Sequence, residues 1–206
     1  MNEFISKMLQ RLDFLYHNAP YWLGASEHEA FGDDPHTFMP DVWGWICLQY
    51  DVRSVLDVGC GMGNNLRWFA DYGFEILCVE GHPAAVAASR VPGKVVCHDF
   101  TKGPWAPSRD YDLCICTEVA EHIQAQYEPN WMAAICRCRY LLFSAALPGQ
   151  GGYHHVNEQP SEYWIGKFKA IGFEELPEVT ERLRATCQRK PAPWGRNTLM
   201  FFVRVT

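Results

Sequence analysis

No C-x-x-C pair occurs in this chain, and its nine cysteines are odd in number. Disulfide frameworks and zinc ribbons need paired, regularly spaced thiols, so both are disfavoured. The Cys-x-Cys pairs at 114/116 and 136/138 have no partner His or Cys at zinc spacing. Positive charge is also scarce. Lys and Arg total 18 against 24 Asp and Glu, a formal charge of −6, which argues against nonspecific nucleic-acid binding. No uninterrupted apolar run reaches membrane-spanning length, and Glu3 and Lys7 break the apolar content of the first residues, so neither a membrane partner nor a signal peptide is expected. Internal repeats, long linkers and low-complexity tracts are missing too. One domain spanning residues 1–206, in a reducing cytoplasm, is the simplest expectation.

What the chain does contain is core material. Hydrophobic residues make up 48%, with eight Trp and twelve Phe, well outside the composition of disordered chains. Cys78, Cys97, Cys114 and Cys116 fall within apolar runs, where a free thiol is expected to pack as a small hydrophobe. Cations gather locally at Arg182, Arg184, Arg189, Lys190 and Arg196. A solvated helix face explains them; the sharper alternative is a patch for a phosphorylated or nucleotide-linked sugar.

Apolar residues at 5, 8, 9, 12, 15 and 16 follow helical spacing and predict an amphipathic helix over 2–17. A turn-rich stretch over 18–40 and a helix over 41–50 follow. From Arg53 onward strands and helices alternate, which implies a parallel sheet with helices on both faces. Helices are predicted over 64–72, ended by Gly73, and over 82–90, with Pro83 in the first turn. Others are predicted over 130–138 capped by Asn130, 161–171 capped by Ser161 and ended by Gly172, and 177–188. A strand over 199–205 closes the sheet.

The most informative run is Ser54-Val55-Leu56-Asp57-Val58-Gly59-Cys60-Gly61-Met62-Gly63-Asn64-Asn65: an apolar strand, a glycine-punctuated turn and a polar helix start. Such a turn lets a ligand lie against the main chain. Dinucleotide sites space their glycines G-x-G-x-x-G, whereas here the spacing is G-x-G-x-G and Asn64 occupies the third position. Asp57 would repel a pyrophosphate and attract a cationic amine or sulfonium. A second apolar run, Phe74 to Val79, ends in Glu80, whose carboxylate can accept from both hydroxyls of a ribose.

Together these residues resemble motif I and the ribose-binding acid of the class I S-adenosylmethionine (SAM) methyltransferases. The resemblance continues through Lys94 to Phe100, Tyr111 to Ile123 and Tyr140 to Pro148 as strands three to five. It implies an α/β fold: a Rossmann-like, doubly wound, seven-stranded, mostly parallel sheet with an antiparallel last strand. Residues 41–206 would form that core, and residues 1–40 a helical extension over the cofactor and acceptor pocket. SAM would be the methyl donor and S-adenosylhomocysteine (SAH) the product. Asp57, Gly59, Cys60, Gly61 and Gly63 would cradle the methionine part, and Glu80 with Gly81 the ribose. Asp99 and Phe100 would flank adenine, while Thr117 and Glu118 close the cofactor site.

Methyl transfer to a hydroxyl is an in-line displacement that also needs a proton removed, and histidine is the usual base near neutral pH. Glu118, Glu121 and His122 stand at i, i+3 and i+4, one face of a helical turn. The loop over 149–160 brings His154 and His155 to the same end of the sheet. His122 and His155 are the base or acceptor-orienting candidates, with His154 facing solvent. Tyr153 is the aromatic placed to touch an acceptor, His82 could brush the ribose, and His36 could reach the cofactor's amino-acid end. The Glu-x-x-Glu-His run also resembles the Mg²⁺ motif of small-RNA 2′-O-methyltransferases and ubiquinone-pathway O-methyltransferases. That would place a metal on Glu118, Glu121 and His122 with His154 or His155, although metal-free relatives carry a similar run. The segment from His155 to Pro160, followed by Tyr163-Trp164, resembles bacterial methyltransferases associated with glycan and natural-product pathways.

The resulting expectation is a SAM-dependent methyltransferase acting on a hydroxyl, less readily a nitrogen, of a small molecule or sugar. It would be a monomer or homodimer with no nucleic-acid partner. The alternatives are a Mg²⁺-dependent O-methyltransferase of RNA or catechol type and a non-catalytic SAM-binding regulatory domain.

Overall fold

The computed structural model of the protein describes residues 37–187 and 195–205. The helix expected over 2–17, the turns over 18–36, His36, Arg189 and Lys190 lie outside the described residues. Helix α1 (Pro40–Tyr50) begins on a proline, whose fixed φ suits a first turn, and ends at Asp51 in the left-handed region with φ 48°. Strand β1 (Ser54–Val58) leads into α2 (Asn64–Asp71), β2 (Glu75–Glu80), α3 (Pro83–Ala87) and β3 (Val95–Cys97). Then come β4 (Tyr111–Thr117), α4 (Glu128–Ile135), β5 (Cys138–Ser144) and α5 (Ser161–Ala170). The chain continues through β6 (Phe173–Glu175), α6 (Pro177–Cys187), α7 (Gly195–Thr198) and β7 (Met200–Arg204).

The seven strands form one sheet in the order β3-β2-β1-β4-β5-β7-β6. Every pair from β3 to β5 is parallel, and β7 runs antiparallel to both β5 and β6. The strand order reverses between β1 and β4, and a doubly wound sheet opens its ligand crevice beyond the strand ends at that point. The expected sheet is therefore present.

Side chains alternate between two cores with the period of two that a strand imposes. Leu113 and Ile115 of β4, Tyr140 and Leu142 of β5 and Phe201 of β7 join α1, α2 and α6 on one face. Cys114, Cys116, Leu141, Phe143 and Phe202 join α4 and α5 on the other. Trp43 anchors the first core, its ring 5.3 Å from that of Phe69 and 5.6 Å from that of Trp68. Trp131, Trp164 and Phe168 anchor the second. Such two-sided burial produces the continuous apolar runs of a parallel sheet.

Several predicted boundaries move. The helix expected over 130–138 spans Glu128–Ile135, since Pro129 opens its first turn and Cys138 already belongs to β5. Asn130 does not cap it; its amide donates to the Phe100 carbonyl at 2.6 Å. Pro160, not Ser161, is the N-cap of α5, and no side chain closes that end. Helix α3 stops at Ala87, and Cys97 is exposed on the edge strand instead of packed. All nine cysteines are free thiols, seven of them buried. Among the described residues no helix is long and apolar enough to cross a membrane.

Candidate active site

A cavity of about 650 Å³ opens beyond the carboxyl ends of β1, β2 and β4, and the glycine turn forms its floor. Gly59, Gly61 and Gly63 all have positive φ, at 79°, 54° and 82°. Space as well as backbone requires glycine at two of them. A Cβ on Gly59 would lie 2.5 Å from a Val119 methyl, and one on Gly63 would lie 2.8 Å from a Val91 methyl. The turn is tied to β2 by the Gly59 amide, which donates to the Val79 carbonyl at 2.9 Å.

Glu80, at the tip of β2, accepts from the Gly61 amide at 2.9 Å and the His82 amide at 2.8 Å. Burial nonetheless holds its carboxyl above the usual range, because removal from water outweighs those backbone bonds. Asp99 behaves oppositely. Its side chain caps the short turn Phe100–Lys102 by accepting from the Thr101 amide at 2.8 Å, and bonds from the Thr101 side chain and backbone hold it below the usual range.

Opposite the glycine turn stands the segment after β4. Glu118 adopts φ 56°, a left-handed conformation rare outside glycine. Only Ala120–His122 is helical, as one 3₁₀ turn, so the single helical face expected for Glu118, Glu121 and His122 does not form. The chain instead turns at Glu118, and Glu121 points into the protein. Glu121 is fully buried and accepts from the Ala146 amide at 3.2 Å. Its carboxyl is pushed up to about 8, first by burial and then by the charge of Glu118. Burial and the neighbouring His155 lower the imidazole pKa of His122, with backbone hydrogen bonds at His154 and Tyr153 opposing them. At neutral pH this favours the uncharged ring, the form that accepts a proton.

The loop after β5 packs against this segment. Val156 and Asn157 both donate backbone amides to the Glu121 carbonyl, at 2.8 and 3.0 Å. Beneath it, buried Glu128 accepts from Asn157 Nδ2 at 3.0 Å and the Tyr163 hydroxyl at 2.8 Å, and pairs with Lys167 at 2.8 Å. No sequence pattern had marked Glu128. A carboxylate in the first turn of a helix reads as an ordinary dipole partner until the fold surrounds it.

Of the residues singled out in the sequence, Gly59, Gly61, Glu80, Gly81, Asp99, Phe100, Glu118 and His122 line the cavity. Cys60, Gly63 and Thr117 are buried outside its wall, as is Asp57, which sits in β1 between Cys78 and Ile115. His154, expected to face solvent, is exposed but also on the wall, whereas His155 is half-buried beside His122 with ring centroids 5.0 Å apart. His82 and Tyr153 reach the wall as well, Tyr153 with 94% of its surface exposed. Thr101, Val119 and Ile123 complete it unanticipated. A carboxylate oxygen of Glu121 and one ring nitrogen each of His122 and His155 lie within 4.8 Å of one another. Glu118 and His154 are outside that group. The cationic segment serves packing where it is described: Arg182 covers Trp45, and Arg184 donates to the Leu199 carbonyl at 2.7 Å.

The sequence model of the methyltransferase-domain family matches residues 25–178. The chain belongs to that family. The methyltransferase has no match among curated proteins compared by sequence. Among solved structures it is similar to the sugar N-methyltransferase KedS8 from a Streptoalloteichus species, at 17% identity and a TM-score of 0.65, over 93% of this chain and 96% of that one. It is also similar to the magnesium protoporphyrin IX methyltransferase of Synechocystis, solved with bound SAH, at 14% identity and a TM-score of 0.61, over 98% and 96% of the chains. A third similar structure is the plantazolicin methyltransferase BpumL, solved with SAH and a triazolic substrate analogue. That match has 12% identity and a TM-score of 0.59 over 100% of both chains.

Proposed function

We propose that this methyltransferase uses SAM and methylates a hydroxyl, less readily a nitrogen, of a small molecule or sugar. The observation that carries the reading is one cavity joining the tight glycine turn and the Glu80 carboxylate to the His122 imidazole. The turn leaves no room for a Cβ at Gly59, which suits a ligand lying flat on the backbone. Glu80 would accept from the ribose hydroxyls, releasing the Gly61 and His82 amides that it holds here. Asp99 and Phe100 would flank the adenine, and Asp57 would act through the turn from within β1. SAH bound in the similar structures of the Synechocystis methyltransferase and BpumL supports the same cofactor.

Bound there, SAM supplies an electrophilic methyl group on a cationic sulfur. The chain's own residues do the rest. Val119 and Ile123 exclude water from the reacting end of the cavity, and the uncharged His122 imidazole receives the proton of the acceptor hydroxyl. Positioning is the larger contribution, able to supply on the order of 7–11 kcal/mol at best. Among the described residues, the wall carries three acids and three histidines and no Lys or Arg. That lining favours a neutral or cationic acceptor over a phosphorylated one, in keeping with a sugar or amino sugar. The free cysteines suit a reducing compartment, and we place the enzyme in the cytoplasm.

The test is calorimetry with SAM, SAH and NADH, followed by a labelled-methyl screen of sugars, amino sugars and phenols. Binding of SAH with methylation of one acceptor class is expected. NADH binding without SAH binding would overturn the reading, and SAH binding without any turnover would favour a regulatory domain. The Glu121, His122 and His155 group supports a second reading, in which a divalent ion lowers the acidity barrier of the acceptor hydroxyl. Two imidazoles and a carboxylate fit Zn²⁺ or a similar borderline ion better than Mg²⁺, which prefers oxygen donors. Turnover insensitive to chelator would eliminate it.

A further inference from the structure

The carboxylate of Glu158 is a point of convergence in the loop after β5. One oxygen accepts from the Gly149 amide at 2.8 Å, and the other accepts from the Gly151 amide at 2.7 Å and faces His155 Nδ1 at 2.9 Å. Three donors on one side chain close the segment between residues 149 and 158 into a fixed ring, although Gly149, Gly151 and His154 all need positive φ. The ring of His155 then lies directly over Gly152, where a Cβ would overlap it. On its other side it meets the His122 ring edge-on at a centroid distance of 5.0 Å.

We propose that Glu158 is a positioning residue for methyl transfer, setting the loop and holding His155 against His122 at the acceptor end of the cavity. The inference rests on the reading of the site as a methyltransferase centre. It holds whether His122 meets the acceptor directly or shares an ion with His155, because an outer carboxylate orients an imidazole in either case. An ionised carboxylate only accepts hydrogen bonds, so His155 carries its proton on Nδ1 and presents the Nε2 lone pair away from Glu158. The same anchor places Tyr153 and His154 on the cavity wall, five and four residues before it. Nothing else among the described residues holds Gly149 and Gly151 by their amides.

Two variants of the full chain, E158A and E158Q, test this. ¹⁵N NMR of labelled histidine reads the tautomer without any acceptor. The parent is expected to show an Nδ1-protonated His155, and E158A is expected to lose that preference. On the acceptor that the labelled-methyl screen identifies, E158A should lower kcat by about 10- to 100-fold, the scale of a misplacement near 1 Å. Its SAH affinity should stay within about threefold of the parent's, because the proposed cofactor contacts lie at the ends of β1 to β4 and outside this loop. E158Q keeps one acceptor oxygen and should lose less kcat than E158A, and the His155 tautomer separates an effect on the imidazole from an effect on the loop alone. An unchanged His155 tautomer in E158A overturns the proposal, as does parental kcat in either variant. If E158A fails to fold, E158Q alone decides through kcat and tautomer. A parent that binds no SAH refutes the methyltransferase reading and leaves the tautomer measurement to judge the anchor.

Discussion

Gly59→Ala places a methyl group where the fold has no space for one. The added Cβ would lie 2.5 and 2.7 Å from the two methyls of Val119, and the residue would keep a φ of +79°. Holding an L-residue in the left-handed region costs roughly 1–2 kcal/mol. Overpacking adds about 1–3 kcal/mol when neighbours must shift. The variant should therefore lose about 2–5 kcal/mol, a large share of the 5–15 kcal/mol typical of a domain. Val119→Ala removes the obstructing methyls and on its own should cost about 1 kcal/mol. In the double variant the clash vanishes while the backbone strain remains, so the two changes should couple favourably by about 1–3 kcal/mol. Urea unfolding with a constant m-value measures all three. SAH calorimetry adds the functional side: Val119 lines the cavity, so the single variant should bind SAH more weakly than the double. Strict additivity, or a Gly59→Ala cost below about 1 kcal/mol, would refute the claim that this turn is packed against the segment after β4.

Three further outcomes are expected. Glu80→Ala should weaken SAH binding about 100-fold by calorimetry, since hydrogen bonds to a charged group contribute about 1.5–3 kcal/mol each and the freed amides recover part of the loss. His122→Ala should lower kcat by about 10²- to 10⁴-fold with SAH affinity retained; a parallel loss of SAH binding would move His122 to the cofactor side. Glu121 has a folded pKa of about 8 against an ordinary 4.5, so the folded state favours its protonated form. The parent should therefore lose stability relative to Glu121→Gln as pH rises from about 4.5 to 8, and the difference should level off above that. Denaturant unfolding in the presence of chelator at several pH values checks this, and a difference independent of pH would count against it.

The parallel sheet and the glycine-turn side of the cavity were legible because their signals are local. Alternating apolar runs mark strands buried on both sides, and glycines at 59, 61 and 63 mark a backbone that must turn left-handed. Glu80 was readable from its place at the end of a run. The side built by the segments after β4 and β5 was less legible because it depends on long-range placement. Helical spacing grouped Glu118 with Glu121 and His122, but the left-handed backbone at Glu118 breaks that face and sends Glu121 inward. Which of His154 and His155 turns inward depends on Glu158, three residues past the second histidine. Strand β6 escaped notice because three residues carry too little periodicity, and it is fixed by pairing with β7. Glu128 escaped because its partners come from 29 to 39 residues downstream.

The exposure of Cys97 on the edge strand has a practical corollary. Seven of the other thiols are shielded by the protein interior and Cys136 is partly covered, its thiol pushed up by burial. A maleimide fluorophore should consequently attach first at Cys97, two residues from Asp99 on the cavity wall. The native chain thus carries a ready-made optical reporter of cavity occupancy, without any engineered cysteine.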